Sequence, residues 1–252
     1  MLSNKTKSLF IRIPKCAGSS MQKFFDPYLE VEINQVDKVN PEKFTLTQAS
    51  SYRAALGTKE WDNLFTFAIV RNPYDRCVSV WQMLEPKQNF RSFIEKISKL
   101  EIETLRTYDN LTYHCCLQSP HLTDGNGNII VDCICRFENL EEDFNKITKI
   151  IGIQNSKLPH VKRTFHKHYS KYYDEATKIM VTEIYKKDIE TFNYKFERQN
   201  LIDSIIDELQ FALYNLYLHV RWQANDVALN KLREPSKAYS KYLKFIDFIQ
   251  RK

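Results

Sequence analysis

The sequence predicts an α/β protein with a mainly parallel sheet and a C-terminal helical extension. Two segments repeat the order strand, tight loop, helix: the first begins with the predicted strand Ser8–Ile13 and the second with the predicted strand Leu64–Val70. Strands that alternate with helices pair in parallel, because each helix carries the chain back across the sheet. From Leu201 onward the apolar residues keep a helical spacing, which predicts the extension.

The remaining elements follow from hydrophobic spacing and from residues typical of helix ends. Pro73 suits the first turn of a helix, and Gly57 and Gly152 stand where helices are expected to end. The first predicted helix begins at Met21. The others cover Gln48–Leu56, Pro73–Leu84, Phe90–Leu105, Leu140–Ile151, Asp174–Phe192 and Leu201–His219, and a helical tail is expected over Asn225–Lys252. A third strand, Ile129–Phe137, is expected after the turn Asp124–Asn128. We expect residues 1–197 to form one domain and residues 198–252 a helical extension packed on it.

The composition excludes several classes of protein. The 252 residues are 43% hydrophobic and 13% aromatic, which excludes general disorder, and only five glycines exclude a collagen-like chain. The net charge of +6 is low for a nucleic-acid coat protein but sufficient for a cleft that binds a small anionic ligand. We therefore expect no nucleic-acid partner, and the oligomeric state stays open.

The sequence gives no sign of a membrane span, a signal peptide or a metal site. No apolar run approaches the roughly 20 residues of a transmembrane helix. The stretch Leu9–Ile13 is too short for the core of a signal peptide, so a cytoplasmic protein with reduced thiols is expected. Neither Cys115-Cys116 nor Cys133-x-Cys135 has the spacing of a zinc site, and buried thiols are the better interpretation.

The first candidate site is the loop Ile13-Pro-Lys-Cys-Ala-Gly-Ser-Ser20. Backbone N–H groups between a strand and a helix can cradle an anion, and the positive end of the helix favours negative charge there. Lys15 adds a cation, and Gly18 lets the backbone approach an oxyanion closely. The order differs from a Walker A loop, in which the lysine follows the last glycine. An ordinary strand-to-helix turn with a surface lysine is the alternative interpretation.

The second candidate site is Val70-Arg-Asn-Pro-Tyr-Asp-Arg-Cys-Val-Ser79. Arg71 follows the carboxyl end of a buried strand, where open α/β sheets bind ligands. Ser79 lies two turns along the next helix, so Arg71 and Ser79 could hold one phosphate together. Asp75 and Arg76 are expected to be structural, and a simple salt bridge is the alternative role for Arg71.

Together these two segments resemble the nucleotide-binding motifs of sulfotransferases that use 3′-phosphoadenosine 5′-phosphosulfate (PAPS), and most closely the carbohydrate branch called sulfotransferase family 2. Further segments resemble that family in the same order: His114–Gln118, Val131–Leu140, Leu158–Thr164 and Tyr172–Tyr194. The resemblance covers about residues 8 to 197. It implies a P-loop-like three-layer fold and transfer of a sulfuryl group from PAPS, as co-substrate, to a hydroxyl of a carbohydrate or small polar metabolite.

The resemblance also implies a role for each motif residue. The 5′-phosphosulfate would be held by the first loop, whose residues are Lys15, Cys16, Ala17, Gly18, Ser19 and Ser20. Arg71 and Ser79 would hold the 3′-phosphate. Lys15 would in addition stabilise the charge that develops on the bridging oxygen, which makes it a catalytic candidate.

The general base is less clearly indicated, because no histidine occurs before His114. His114 opens a family-like segment and is the best candidate, with Glu60 and Glu32 as weaker alternatives. The family often has His at the position of Arg12 and Thr at the position of Cys16, so this chain departs from the pattern at both. A reactive role for the Cys16 thiol is a minor alternative.

Three alternatives stay open at this point. Lys162, Arg163 and Thr164 belong to a basic segment that either contacts an anion or forms a solvated face. A small-molecule kinase would handle phosphate in a similar loop, although no Mg²⁺-binding Asp is evident at a strand end. A non-catalytic relative would keep the nucleotide cradle and lack turnover.

Overall fold

A four-stranded sheet forms the centre of the protein in the computed structural model, which describes residues 1–29, 48–100, 102, 109–153, 157–159, 167–206, 208–209 and 212–213. The strands are β1 (Leu2–Ser3), β2 (Ser8–Ile11), β3 (Phe65–Val70) and β4 (Cys133–Arg136), in this spatial order. β1 is antiparallel to β2, whereas the pairs β2–β3 and β3–β4 are parallel. The sheet confirms the predicted α/β class, and its three parallel strands end at one edge.

Helices connect the strands and follow the last of them. Within the described residues they are α1 (Gly18–Phe25), α2 (Ala49–Leu56), α3 (Thr58–Trp61), α4 (Pro73–Leu84), α5 (Phe90–Ile97), α6 (Asn110–Cys115), α7 (Leu140–Ile150), α8 (Glu175–Ile184) and α9 (Lys186–Phe192). In the same described ranges, short 3-10 turns cover Asp26–Tyr28, Ser119–His121, Phe137–Asn139 and Tyr169–Tyr172. The strand–loop–helix units β2–α1 and β3–α4 lie where the sequence predicts them.

The core reflects the composition of the strands. Apart from Thr66, β3 is made of aromatic and aliphatic residues, and it is buried on both faces, as expected for a central strand. On one face Phe67, Ile69 and Cys135 line a small apolar cavity together with Met21 of α1 and Phe144 of α7. α1 and α7 therefore cover that face of the sheet. A second buried cluster joins α4, α5, α6 and α8.

Some element boundaries differ from those predicted. The predicted strand Ile129–Phe137 is reduced to β4, and Ile129 forms a separate antiparallel bridge with Thr123. The predicted helix Asp174–Phe192 is broken at Tyr185, whose side chain is buried and donates a hydrogen bond to the carbonyl of Cys115 at 2.8 Å. The break follows from this tertiary contact, which helical periodicity does not reveal.

The chain divides into two compact units. The first comprises residues 1–164 and 169–198, and the second comprises residues 165–168 and 199–252. In the second unit the described residues 201–206, 208–209 and 212–213 are helical, and Lys167 Nζ pairs with both carboxylate oxygens of Glu208, at 2.8 and 2.9 Å. The predicted helical tail Asn225–Lys252, the residues Lys162, Arg163 and Thr164, and Glu32 lie outside the described residues.

Candidate functional site

The loop between β2 and α1 has the backbone geometry of an anion cradle. Lys15 and Ala17 both adopt left-handed conformations, with φ of 65° and 58°, although neither is a glycine. Such conformations are strained for residues with a Cβ, and they concentrate at binding sites, where they turn successive N–H groups toward one point. No side chain among the described residues caps the N-terminus of α1, which leaves N–H groups of its first turn available to an anion.

Gly18 opens α1 and lies close to the side chain of Arg12. A Cβ at this position would lie 2.7 Å from Nε of Arg12, a distance at which the Arg12 side chain would have to move. The guanidinium of Arg12 also donates a hydrogen bond to Oε1 of Gln22 at 3.1 Å. Arg12 therefore lies across the N-terminal turn of α1. Ser19 and Ser20 follow Gly18 in that turn, and Ser20 is buried.

Cys16 is fully buried beneath the loop. Its Sγ lies 3.3 Å from Oε1 of Gln118 and 3.5 Å from the carbonyl oxygen of Pro14. Burial raises the pKa of this thiol to about 12, so it is protonated at neutral pH. The thiol acts as a buried donor, and the structure offers no support for a nucleophilic role.

Arg71 connects the second loop to the first. It follows β3 directly, and its Nη1 donates a hydrogen bond to the carbonyl oxygen of Lys15 at 3.2 Å. Its Nε pairs with Oδ2 of Asp75 at 2.7 Å, and its guanidinium lies 4.1 Å from the ring centre of Phe137, which follows β4. The predicted salt bridge is thus present, and Arg71 is held in one place between the ends of three parallel strands. Ser79 is buried on α4.

The carboxylate of Glu138 joins the second loop to the 3-10 turn that follows β4. Glu138 accepts a hydrogen bond from the backbone N–H of Asn72 at 2.7 Å through Oε1, and one from the hydroxyl of Tyr194 at 3.0 Å through Oε2. Sequence reasoning recorded Glu138 only as part of a family-like segment and assigned it no role. The sequence feature that could have identified Glu138 is its position directly after a predicted strand, at the sheet edge where both motif loops are expected.

His114 lies near the first loop, at the C-terminal end of α6. Burial and, to a smaller extent, the positive charges of Lys15, Arg76 and Arg12 together lower the pKa of its imidazole to about 4. The ring is therefore neutral at pH 7. Its Nδ1 is buried and has no hydrogen-bond partner within the described part of the chain. Glu60, a weaker candidate for the base, lies on α3.

Comparison with known proteins agrees with this geometry. The model of the sulfotransferase family, specifically sulfotransferase family 2, matches residues 1–195. The chain belongs to the sulfotransferase family. Over 105 residues it is also 35% identical to an uncharacterized protein of Archaeoglobus fulgidus, and the match covers 40% of this chain and 78% of that protein. No solved structure matches the chain.

Membership of the sulfotransferase family makes the protein a transferase that acts in sulfuryl transfer. Its two motif loops meet at the carboxyl edge of the parallel strands, where this class of sheet binds ligands. Among the residues that the structure describes, no three His, Cys, Asp or Glu side chains are grouped to hold a metal ion. None of the described helices has the length and hydrophobicity to span a membrane.

Proposed function

We propose that this sulfotransferase transfers the sulfuryl group of PAPS, in line, to a hydroxyl of a carbohydrate or small polar metabolite. The hydrogen bond between Arg71 Nη1 and the carbonyl of Lys15 supports this proposal most directly, since it brings two anion-binding loops together. A nucleotide with negative groups at both its 5′ and 3′ positions needs two such loops at a fixed separation. Sulfotransferases of this family generally use PAPS.

The first loop would hold the 5′-phosphosulfate. Within residues 15–20, Lys15 and Ala17 have left-handed backbone conformations, and the first turn of α1 has no side-chain cap. Backbone N–H groups of this kind can bind an anion. Lys15 would place its ammonium group beside the bridging oxygen, where negative charge grows as the S–O bond breaks. Stabilisation that strengthens as that charge develops raises the rate, and not only the affinity.

Arg71 and Ser79 would hold the 3′-phosphate. The guanidinium of Arg71 is buried and already oriented by Asp75 and Phe137, so little side-chain freedom is lost on binding. Its remaining N–H donors match phosphate oxygens in a forked geometry.

His114 is our candidate for the base that accepts the proton of the acceptor hydroxyl. Its ring is neutral at pH 7, as a base must be before it acts. A buried imidazole nitrogen without a hydrogen-bond partner is costly, and an acceptor hydroxyl beside it would supply one.

A thermal-shift titration tests the nucleotide assignment. Adenosine 3′,5′-bisphosphate (PAP), ATP and NAD are each titrated into the wild type, Arg71→Ala and Arg91→Ala. Arg91→Ala is the matched control, because Arg91 forms an exposed ion pair with Glu95 at the same i,i+4 spacing as Arg71 with Asp75. At 100 times its Kd a ligand stabilises by about 2.7 kcal/mol, or roughly 5–10 °C for a chain of this size. We expect that shift with PAP for the wild type and for Arg91→Ala, and its loss in Arg71→Ala.

Equal shifts with ATP and PAP would refute the PAPS assignment and favour another phosphate-handling enzyme. Selective PAP binding without transfer of labelled sulfate from PAPS to any of a panel of sugars would support the non-catalytic alternative.

A further inference from the structure

Gln118 lies completely buried between the two motif loops and touches both of them. Its Oε1 accepts hydrogen bonds from the backbone N–H of Arg71 at 2.9 Å and from Sγ of Cys16 at 3.3 Å. Its Nε2 donates to the carbonyl oxygen of Arg71 at 2.8 Å. One side-chain amide therefore satisfies both backbone groups of Arg71 and reaches the first loop.

The position of this amide follows from the sheet. β2 pairs with β3 only as far as the partners Ile11 and Ala68, so no strand of the described part of the chain lies beside Arg71 on that side. A buried backbone N–H and C=O without partners would be destabilising. Gln118 takes the place of the missing strand, and only a side chain with both a donor and an acceptor can do so.

Asp188 holds Gln118 in turn. This fully buried carboxylate on α9 accepts a hydrogen bond from the N–H of Gln118 at 2.7 Å and from the N–H of Ser119 at 2.8 Å. Two charge-assisted bonds to successive backbone groups fix the backbone from which the Gln118 amide extends.

We propose that Gln118, braced by Asp188, is a positioning residue that aims the Arg71 guanidinium at the 3′-phosphate and sets the separation of the two motif loops. The proposal rests on the proposed function, because it assumes a ligand with anionic groups at both ends. It predicts a loss specific to the 3′-phosphate when the amide is removed, since the backbone of Arg71 is then free to shift.

Calorimetric titration with two nucleotides tests this proposal. PAP and AMP differ by the 3′-phosphate, so the ratio of the AMP Kd to the PAP Kd measures what that phosphate contributes. For Gln118→Met, which keeps the length of the side chain and removes the amide, we expect the ratio to fall about tenfold, as for the loss of one or two hydrogen bonds. Asp188→Asn, a milder change, should lower it about threefold.

The control is Phe93→Leu, a change in the fully buried part of α5 within the second core cluster. Phe93 lies outside both motif segments, so this change should lower stability and leave the ratio unchanged. An unchanged ratio in a folded Gln118→Met variant, or affinities for PAP and AMP that weaken by the same factor, would overturn the proposal. If Gln118→Met does not fold, Asp188→Asn decides by the same criterion. A wild type that does not prefer PAP to AMP would instead refute the proposed function.

Discussion

Protonation of His114 should cost this protein stability as the pH falls below neutrality. The pKa of an unfolded histidine is about 6.5, whereas burial and three nearby positive charges lower the pKa of His114 in the fold to about 4. Between these two values the unfolded chain binds more protons than the folded chain. The stability that His114 contributes is therefore fully present above pH 6.5 and decreases as the pH falls toward 4.

The size of the effect follows from the two pKa values. Each unit of difference corresponds to 1.36 kcal/mol, and integration between pH 7 and pH 5 gives about 2 kcal/mol of lost stability before screening. The ring is only half-buried, so solvent screens the charges of Lys15, Arg76 and Arg12. We therefore expect a loss of about 1 kcal/mol.

Denaturant unfolding at pH 7, 6 and 5 measures this loss. The difference between the wild type and His114→Gln removes the contribution of the other titrating groups, which both proteins share. We expect the stability of His114→Gln to change with pH by about 1 kcal/mol less than that of the wild type. Parallel pH dependences for the wild type and His114→Gln would refute the burial and charge environment described for this ring.

Two further predictions concern the lysine and the cysteines. Lys15→Ala should lower kcat about 10²–10³-fold in a steady-state transfer assay, whereas the affinity for PAP should fall less than tenfold. The reason is that Lys15 acts on charge that develops during transfer. Losses of equal size in kcat and in PAP affinity would assign Lys15 to ground-state binding. A thiol reagent at pH 7.5 should label Cys133 first, measured by peptide mass spectrometry, because a hydrogen bond from Cys135 lowers the pKa of the half-buried Cys133 to about 7. First labelling at Cys16 would contradict this.

The strand–loop–helix units could be predicted because their signals are local. In the second unit Val70 marks a strand end and Pro73 marks a helix start a few positions later, and in the first unit Gly18 marks a tight turn soon after the strand. The parallel pairing then brings both loops to one edge. The antiparallel strand β1 could not be predicted, since two residues carry no periodicity.

The partners that hold the site together could not be predicted for a different reason. Gln118 lies 47 positions from Arg71 and 102 from Cys16, and Asp188 lies 70 positions from Gln118. A single buried amide or carboxylate has no pattern of its own in the sequence. Its role depends on which backbone groups the fold leaves without partners, and this is known only once the strands are paired.

The depressed pKa of His114 and the ability to bind an anion have the same physical origin. The charges of Lys15, Arg76 and Arg12 disfavour a proton on the imidazole, and such a field also attracts a phosphate or a sulfate. Asp75 pairs with Arg71, so part of the positive charge of that guanidinium is already compensated. In our proposal, this field and the N–H groups of the first loop hold the 5′ end of the nucleotide, which carries the transferable sulfuryl group. The same field helps to keep the imidazole neutral at pH 7, the state that the proposed base needs before it accepts a proton.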